Sequence, residues 1–235
     1  MEVRLLSLHL KNQMYNFFKR LTDIILSLLS LLVLSPLFLT ICFILKFTGE
    51  GEIFYLQKRL GLNGKEFYIY KFATMLKASE SMGSGIYTAK NDSRILPFGN
   101  FLRKSKINEL PQILNILFGT ISLVGPRPLI RKTFELYSEG DRSIISSVKP
   151  GLTGAGSIVF RNEEDLLLKA GANIEEFYEN NITPYKASLE RWYVKNKSFK
   201  VDLFIILITA YSIFFKQTRM PWLIFKDLPE MVINQ

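Results

Sequence analysis

Apolar positions change their spacing several times along this chain, and each change marks an element. From Ile24 to Leu45 no charged residue interrupts the run. Those roughly 22 residues are enough to cross a hydrocarbon core as a helix. The run is too long for a cleaved signal peptide, and no small-residue cleavage site follows it. Ser35-Pro36 stands at its middle. Proline removes one backbone hydrogen bond and crowds the preceding turn, so a kink is expected there. Lys11, Lys19 and Arg20 precede the run, and Lys46, Lys58 and Arg59 follow it. Basic flanks prefer the cytoplasmic side. A bent, re-entrant helix hinged at Ser35 and Pro36 satisfies both flanks, whereas a single kinked span satisfies one. The residues alone leave both open.

Beyond it, residues 53–75 alternate well enough to predict a β-hairpin about Asn63-Gly64. A polar loop follows over about 77–94. Residues 95–118 predict mainly helix, with a second segment beginning at Asn108-Glu109, Pro111 in its first turn, and Gly119 as its stop. Arg131 to about Ser147 reads as one amphipathic helix, Lys149 to Gly154 as a turn, and Glu163 to Lys197 as helix broken near Pro184. The stretch Val201–Phe215 is apolar again but short for a span. Trp192 and Tyr193 before it and Trp222 after it suit a helix lying among lipid headgroups. A buried core helix is the other reading.

Composition sharpens this picture. Hydrophobic residues make up 48% of a chain that is also 22% charged, and the mean hydropathy is +0.15. The excess lies in the two apolar runs. A net charge of +9 points to a polyanionic partner. No zinc-finger spacing, ribonucleoprotein signature or basic heptad region supports nucleic acid, so membrane surface and phosphate are the better readings. The single cysteine, Cys42, lies in the apolar run, and no intramolecular disulfide can form. With His9 the only histidine, multi-histidine chemistry is excluded, and so is a cysteine-rich zinc site.

The chemistry concentrates between Phe101 and Pro128. Arg103 and Lys104 stand one helical turn before Glu109, and Gly125-Pro126-Arg127-Pro128 is a stiff turn that aims another guanidinium. A carboxylate bracketed by cations suits a metal-bound, phosphate-rich substrate.

These residues carry a resemblance. Lys19-Arg20 with Asp23 opens the apolar helix, and Ser35-Pro36 breaks it. Phe54-Tyr55-x-Gln57-x-Arg59-x-Gly61-x-Asn63-Gly64 is followed by Phe67-x-Ile69-Tyr70-Lys71-Phe72-x-Thr74-Met75. Asp92-x-Arg94, Gly99-x-x-Leu102-Arg103, Glu109-Leu110-Pro111-Gln112 and Asn115 come next. Gly119-x-x-Ser122-x-Val124-Gly125-Pro126-Arg127-Pro128 and Lys149-Pro150-Gly151-x-Thr153-Gly154 complete the series. In this order they resemble the bacterial sugar transferases, the monotopic phosphoglycosyl transferases. The likeness runs from about Tyr15 to Phe215.

The resemblance implies an enzyme that moves a sugar-1-phosphate from a UDP-sugar to undecaprenyl phosphate and releases UMP. Capsule, O-antigen, exopolysaccharide or glycoprotein glycan assembly would begin with that step, and downstream glycosyltransferases would take the product. It implies Mg²⁺ as cofactor, membrane lipid as surroundings, and a catalytic part on the cytoplasmic face of the bacterial inner membrane. It also favours the re-entrant helix. The expected fold is α+β and mainly helical, with an N-terminal re-entrant membrane helix, a small β-hairpin and amphipathic interfacial helices. Residues 1–50 would form the N-terminal segment and membrane helix, 51–215 the catalytic domain and 216–235 a tail. By likeness, Glu109 holds the metal; Asp92 is a second candidate, should Glu109 itself be the nucleophile. Arg103, Arg127, Lys71 and Arg59 bind substrate phosphates, which suits paired guanidinium donors and an ammonium point charge. Residues 155–185, with Arg161, Glu163 and Glu164, are the expected sugar selectors.

Two positions depart from the family pattern. Where the family has Asp-Glu, with the Asp as nucleophile, this chain has Asn108-Glu109. A carboxamide is a poor nucleophile because its nitrogen lone pair is delocalised and it carries no charge. Ala73 stands where the family usually has Arg or Lys. Three explanations follow for Asn108: direct attack by the lipid phosphate, Glu109 as nucleophile with the metal on Asp92, or a catalytically impaired membrane scaffold that binds nucleotide sugar.

Overall fold

The computed structural model describes residues 2–79, 92–161, 174–215 and 219–231. Most of the 77–94 loop, Glu163 and Glu164, and part of the 216–235 tail lie outside the described residues. The mainly helical α+β expectation holds. Two compact units emerge, one of residues 24–58 and 68–118, the other of residues 1–23, 59–67 and 119–235.

In the first of these units the long helix α1 (Glu2–Phe47) supplies its C-terminal half. Ile41 and Leu45 pack with Phe72 and Leu102, and Phe38, Cys42, Ile53, Phe98, Ile107 and Leu110 close around them. The buried positions Phe38, Ile41, Cys42 and Leu45 repeat every three or four residues, which is one stripe of a helix. The other face of this half is just as apolar but exposed at Leu32, Val33, Leu39, Phe43 and Phe47. The segment Leu10–Phe47 is long and apolar enough to cross a membrane and is mostly exposed. An apolar surface of that extent associates with a membrane. The helix continues without a break through Pro36. Pro36 has no N–H for the Leu32 carbonyl, and the Ser35 hydroxyl donates to that carbonyl instead, at 2.8 Å.

The predicted hairpin is present as β1 (Phe54–Leu60) and β2 (Glu66–Phe72). Asn63 and Gly64 both take positive φ, 57° and 70°, as such a turn demands. After it come α2 (Pro97–Lys104), a 3-10 turn (Ile107–Glu109) and α3 (Gln112–Phe118).

In the other unit, β3 (Ser122–Val124) lies parallel to β4 (Gly151–Thr153). Between them run α4 (Arg131–Glu135) and α5 (Glu139–Ser146). The single helix expected over 131–147 is therefore two. Ser138 starts the second by capping it, its hydroxyl accepting from Asp141 N–H. The chain continues through α6 (Ala155–Val159), α7 (Ile174–Phe177), a π-helical turn (Tyr178–Ile182), α8 (Thr183–Asn196), α9 (Phe199–Phe214) and α10 (Met220–Ile224). Pro184 does not break the helix. It occupies the first turn of α8, where its missing N–H costs nothing.

The core of this unit joins Ile158, Leu189, Trp192, Tyr193, Ile205 and Ile208. Trp192 and Tyr193 are thus core residues, not headgroup aromatics: Trp192 donates to Asp227 at 2.9 Å and Tyr193 to Asp202 at 2.8 Å. Helix α9 combines both readings offered for it, burying Ile205 and Ile208 and exposing Leu203 and Leu207. The first half of α1 is tied down by polar contacts. Lys19 and Tyr15 reach Asp202 at 2.5 and 2.8 Å, and Asp23 accepts from Leu123 N–H at 2.9 Å.

Candidate active site

Asn108 and Glu109 sit on the 3-10 turn that separates α2 from α3. Ile107 and Leu110 plant the turn in the apolar core, so the two residues between them are fixed from both ends. Entry to the turn is strained. Lys106 adopts φ 61°, a left-handed conformation that a side chain disfavours.

Glu109 lies 3.9 Å from the Lys71 ammonium, with side-chain exposures of 22% and 16%. Lys71 projects from β2, and Asn115 of α3 fixes that strand. The Asn115 amide donates to the Tyr68 carbonyl and its oxygen accepts from Tyr70 N–H, both at 2.8 Å. The carboxamide thus matches a strand edge, donor to acceptor and acceptor to donor. That explains this asparagine, whose role could not be read from the motif. Arg103, in the last turn of α2, places Nη1 3.9 Å from the Met75 sulfur. Ala73 is buried, and its N–H donates to the Ile53 carbonyl at 2.9 Å.

Asn108 is 9% exposed, and its Oδ1 is buried without a hydrogen-bond partner. Such orphans are rare and call for an explanation. One carboxylate and one neutral oxygen on adjacent residues are hard donors. They fit Mg²⁺, which takes a few protein oxygens and completes its shell with phosphates and water. Asp92, the second candidate ligand, is engaged elsewhere. Its two oxygens receive Arg94 Nε and Nη2 at 2.8 and 2.6 Å, and Arg94 is 4% exposed. Among the described residues no three His, Cys, Asp or Glu side chains cluster as a metal cage.

Arg127 and Arg59 belong to the other unit. There the Gly125–Pro128 turn and the Lys149–Gly154 turn interlock through backbone. Gly125 N–H donates to Thr153 O at 2.9 Å, Gly151 N–H to Pro126 O at 2.8 Å and Ser122 N–H to Pro150 O at 2.8 Å. A Cβ on Gly151 would stand 2.1 Å from Gly125 N, and one on Gly154 2.1 Å from Gly125 O. Only glycine permits that approach. The turn is buried at Gly125, Pro126 and Pro128 and exposed at Arg127. Arg59 Nη1 donates to Pro128 O at 3.4 Å, and Leu60 N–H to Leu129 O at 2.9 Å.

One residue of this unit had no signal in the motif pattern. Glu190, on α8, is 5% exposed and accepts from Arg127 N–H at 3.4 Å. Burial pushes its carboxyl up to about 7, against the hydrogen bonds from Arg127 and Gly156 N–H and the charges of Lys186 and Arg127.

The model of the bacterial sugar transferase family matches residues 14–216. The chain belongs to that family. Among similar proteins, the UDP-glucose:undecaprenyl-phosphate glucose-1-phosphate transferase of Klebsiella pneumoniae is 36% identical over 86% of this chain. The transferase of the same name from Xanthomonas campestris pv. campestris is 36% identical over 85% of it. The chain spans 41% and 39% of the length of those two proteins. The exopolysaccharide production protein ExoY of Sinorhizobium fredii is 32% identical, with 83% of this chain and 84% of that protein covered.

Proposed function

We propose that this chain transfers a sugar-1-phosphate from a UDP-sugar to undecaprenyl phosphate and releases UMP. The reaction takes place at the cytoplasmic face of the bacterial inner membrane, among membrane lipids. It begins the assembly of a surface or secreted glycan, and downstream glycosyltransferases receive its product. The observation that carries the reading is Glu109 beside Lys71 on a strained turn next to the orphaned Asn108 Oδ1. The names of its relatives supply the substrate class.

Glu109, with the Asn108 oxygen, would hold Mg²⁺, which supplies charge neutralisation on the diphosphate. Lys71 and Arg103 add positive charge in the same unit, and Arg127 and Arg59 keep the phosphate-binding role implied by the resemblance. Direct transfer fits best. A lipid phosphate oxygen attacks the phosphorus bonded to the sugar, the bond from that phosphorus to the oxygen of the UMP portion breaks, and UMP leaves with the electron pair. The catalytic demand is then positioning and charge stabilisation, which needs no protein nucleophile. Asn108 takes part through its oxygen and not through a covalent bond. The competing route, with Glu109 as nucleophile, needs Asp92 for the metal, and Asp92 is buried in an ion pair with Arg94 that the metal would have to share. The hinge at Ser35 and Pro36 and the re-entrant course of α1 belong to the same proposal, since they bring the site to the headgroup level.

The test is a panel of UDP-sugars with undecaprenyl phosphate, scored for UMP. Release with at least one sugar is expected, with intersecting double-reciprocal lines in the two substrates. Parallel lines would refute direct transfer, and nucleotide binding without UMP release would favour the impaired scaffold.

A further inference from the structure

Glu190 is a carboxylate that the proposed reaction does not use, buried behind an arginine that it does. Its Oε1 receives Arg127 N–H at 3.4 Å and the backbone N–H of Gly156. Gly156 makes room for it, since a Cβ there would stand 2.5 Å from that oxygen. Its Oε2 is buried with no partner. A buried acid of this kind is costly unless it is held by hydrogen bonds. Here half of it is held, by backbone N–H groups of the phosphate-facing turn at Arg127 and of α6 at Gly156.

Among the described residues, the charges that face it are few. On its own helix the Lys186 ammonium lies one turn earlier. It donates to Tyr178 OH at 3.1 Å and rests over the Phe160 and Tyr178 rings. The Arg127 guanidinium approaches from the turn. Helix α6 offers the Gly156 N–H and no ionisable side chain within its span. On α5, Asp141 is paired with Arg191.

We propose that Glu190 is a positioning residue. In its charged form it grips the N–H groups of Arg127 and Gly156 and fixes the turn so that the Arg127 side chain is presented to a nucleoside diphosphate. In its protonated form the grip loosens, because a neutral oxygen is the weaker acceptor. The inference rests on the phosphate-binding role proposed for Arg127.

The carboxyl, raised to about 7, titrates near neutral pH, and this gives two opposed trends. The folded protein holds the proton more tightly than the unfolded chain between about 4.5 and 7. Stability from this group is therefore full below that window and is lost as pH rises through it. Diphosphate binding moves the other way and strengthens as the proton leaves. The stability trend follows from burial alone; the binding trend is the one that a residue merely filling space would not show.

The experiment uses the full chain in nanodiscs, with UDP as probe for direct binding. Thermal midpoints are read on the same samples between pH 5.5 and 8.5. Wild-type affinity for UDP is expected to rise about tenfold across that range beyond the change set by ionisation of the probe's own terminal phosphate near pH ~6. Glu190→Gln should lose that excess step, keeping only the change that the probe itself brings, and flatten the pH dependence of the midpoint. Glu190→Asp should keep a pH step. In an Arg127→Ala background, Glu190→Gln should change UDP affinity less than twofold. A Glu190→Gln protein that keeps the wild-type pH step in UDP affinity would overturn the proposal. So would an equal loss in the Arg127→Ala background. If UDP binds with the expected step but UMP is never released from a UDP-sugar, the transfer reading fails and this one stands.

Discussion

The Asn108–Glu109 turn and the Gly125–Pro128 turn both present polar side chains, but they are held by opposite means. The first is fixed by side chains. Ile107 and Leu110 are sunk in a core, Asn115 clamps the neighbouring strand, and Lys106 enters in a disfavoured backbone conformation. The second is fixed by backbone: glycines press against one another, and each amide finds a carbonyl. Side-chain support leaves some freedom to relax, because rotamers and packing adjust by small steps. Backbone support has no such slack. If Arg127 is aimed at a diphosphate, as proposed, it is only as accurate as the turn that carries it.

The largest effect should come from the side-chain-held site. Glu109→Gln is expected to lower the rate of UMP release by about 10³-fold with little change in thermal midpoint. A variant that stays fully active would show that the metal and phosphate chemistry lies elsewhere. Next is the backbone lock. Gly154→Ala forces a methyl to within 2.1 Å of Gly125 O and should cost about 3 kcal/mol. Calorimetry would read that as a midpoint lowered by about 6–12 °C. An unchanged midpoint would mean that the two turns separate without penalty.

Asn115→Ala should cost about 2 kcal/mol, since it strands the Tyr68 carbonyl and the Tyr70 N–H. Denaturant unfolding would measure it. Because Lys71 is on that strand, UMP release should fall as well; a stability loss with full activity would sever the clamp from the site. The smallest effect belongs to Lys106→Gly. Relief of the positive φ, offset by the added freedom of the unfolded chain, should raise stability by at most about 1 kcal/mol. A destabilised Lys106→Gly protein would show that the turn is not strained at that residue.

What could be read from the chain alone followed local rules. Asn63-Gly64 announced the hairpin because the positive φ values it requires are a local property. The apolar run announced α1 for the same reason, and the motif order placed Glu109, Arg103 and Lys71 in one functional group. The rest depended on distant partners. Glu190 is one acidic residue among many until α8 folds it against a turn 63 positions earlier in sequence. Trp192 and Tyr193 looked like interfacial aromatics because their spacing from an apolar run is the same whether the core or the lipid takes them. Asp92 stood as a second metal candidate, and nothing in Asp-x-Arg declares how deeply the pair with Arg94 is buried.

The Ser35 hydroxyl on the Leu32 carbonyl also constrains where this helix can lie. A carbonyl left bare by proline would cost several kcal/mol in hydrocarbon, because no water reaches it there. The serine supplies a proton from within the helix itself, so the step at Pro36 can sit in lipid without a partner helix or a wetted crevice. Replacing Ser35 with alanine would push that carbonyl toward the nearest water, and so toward a shallower seat in the bilayer.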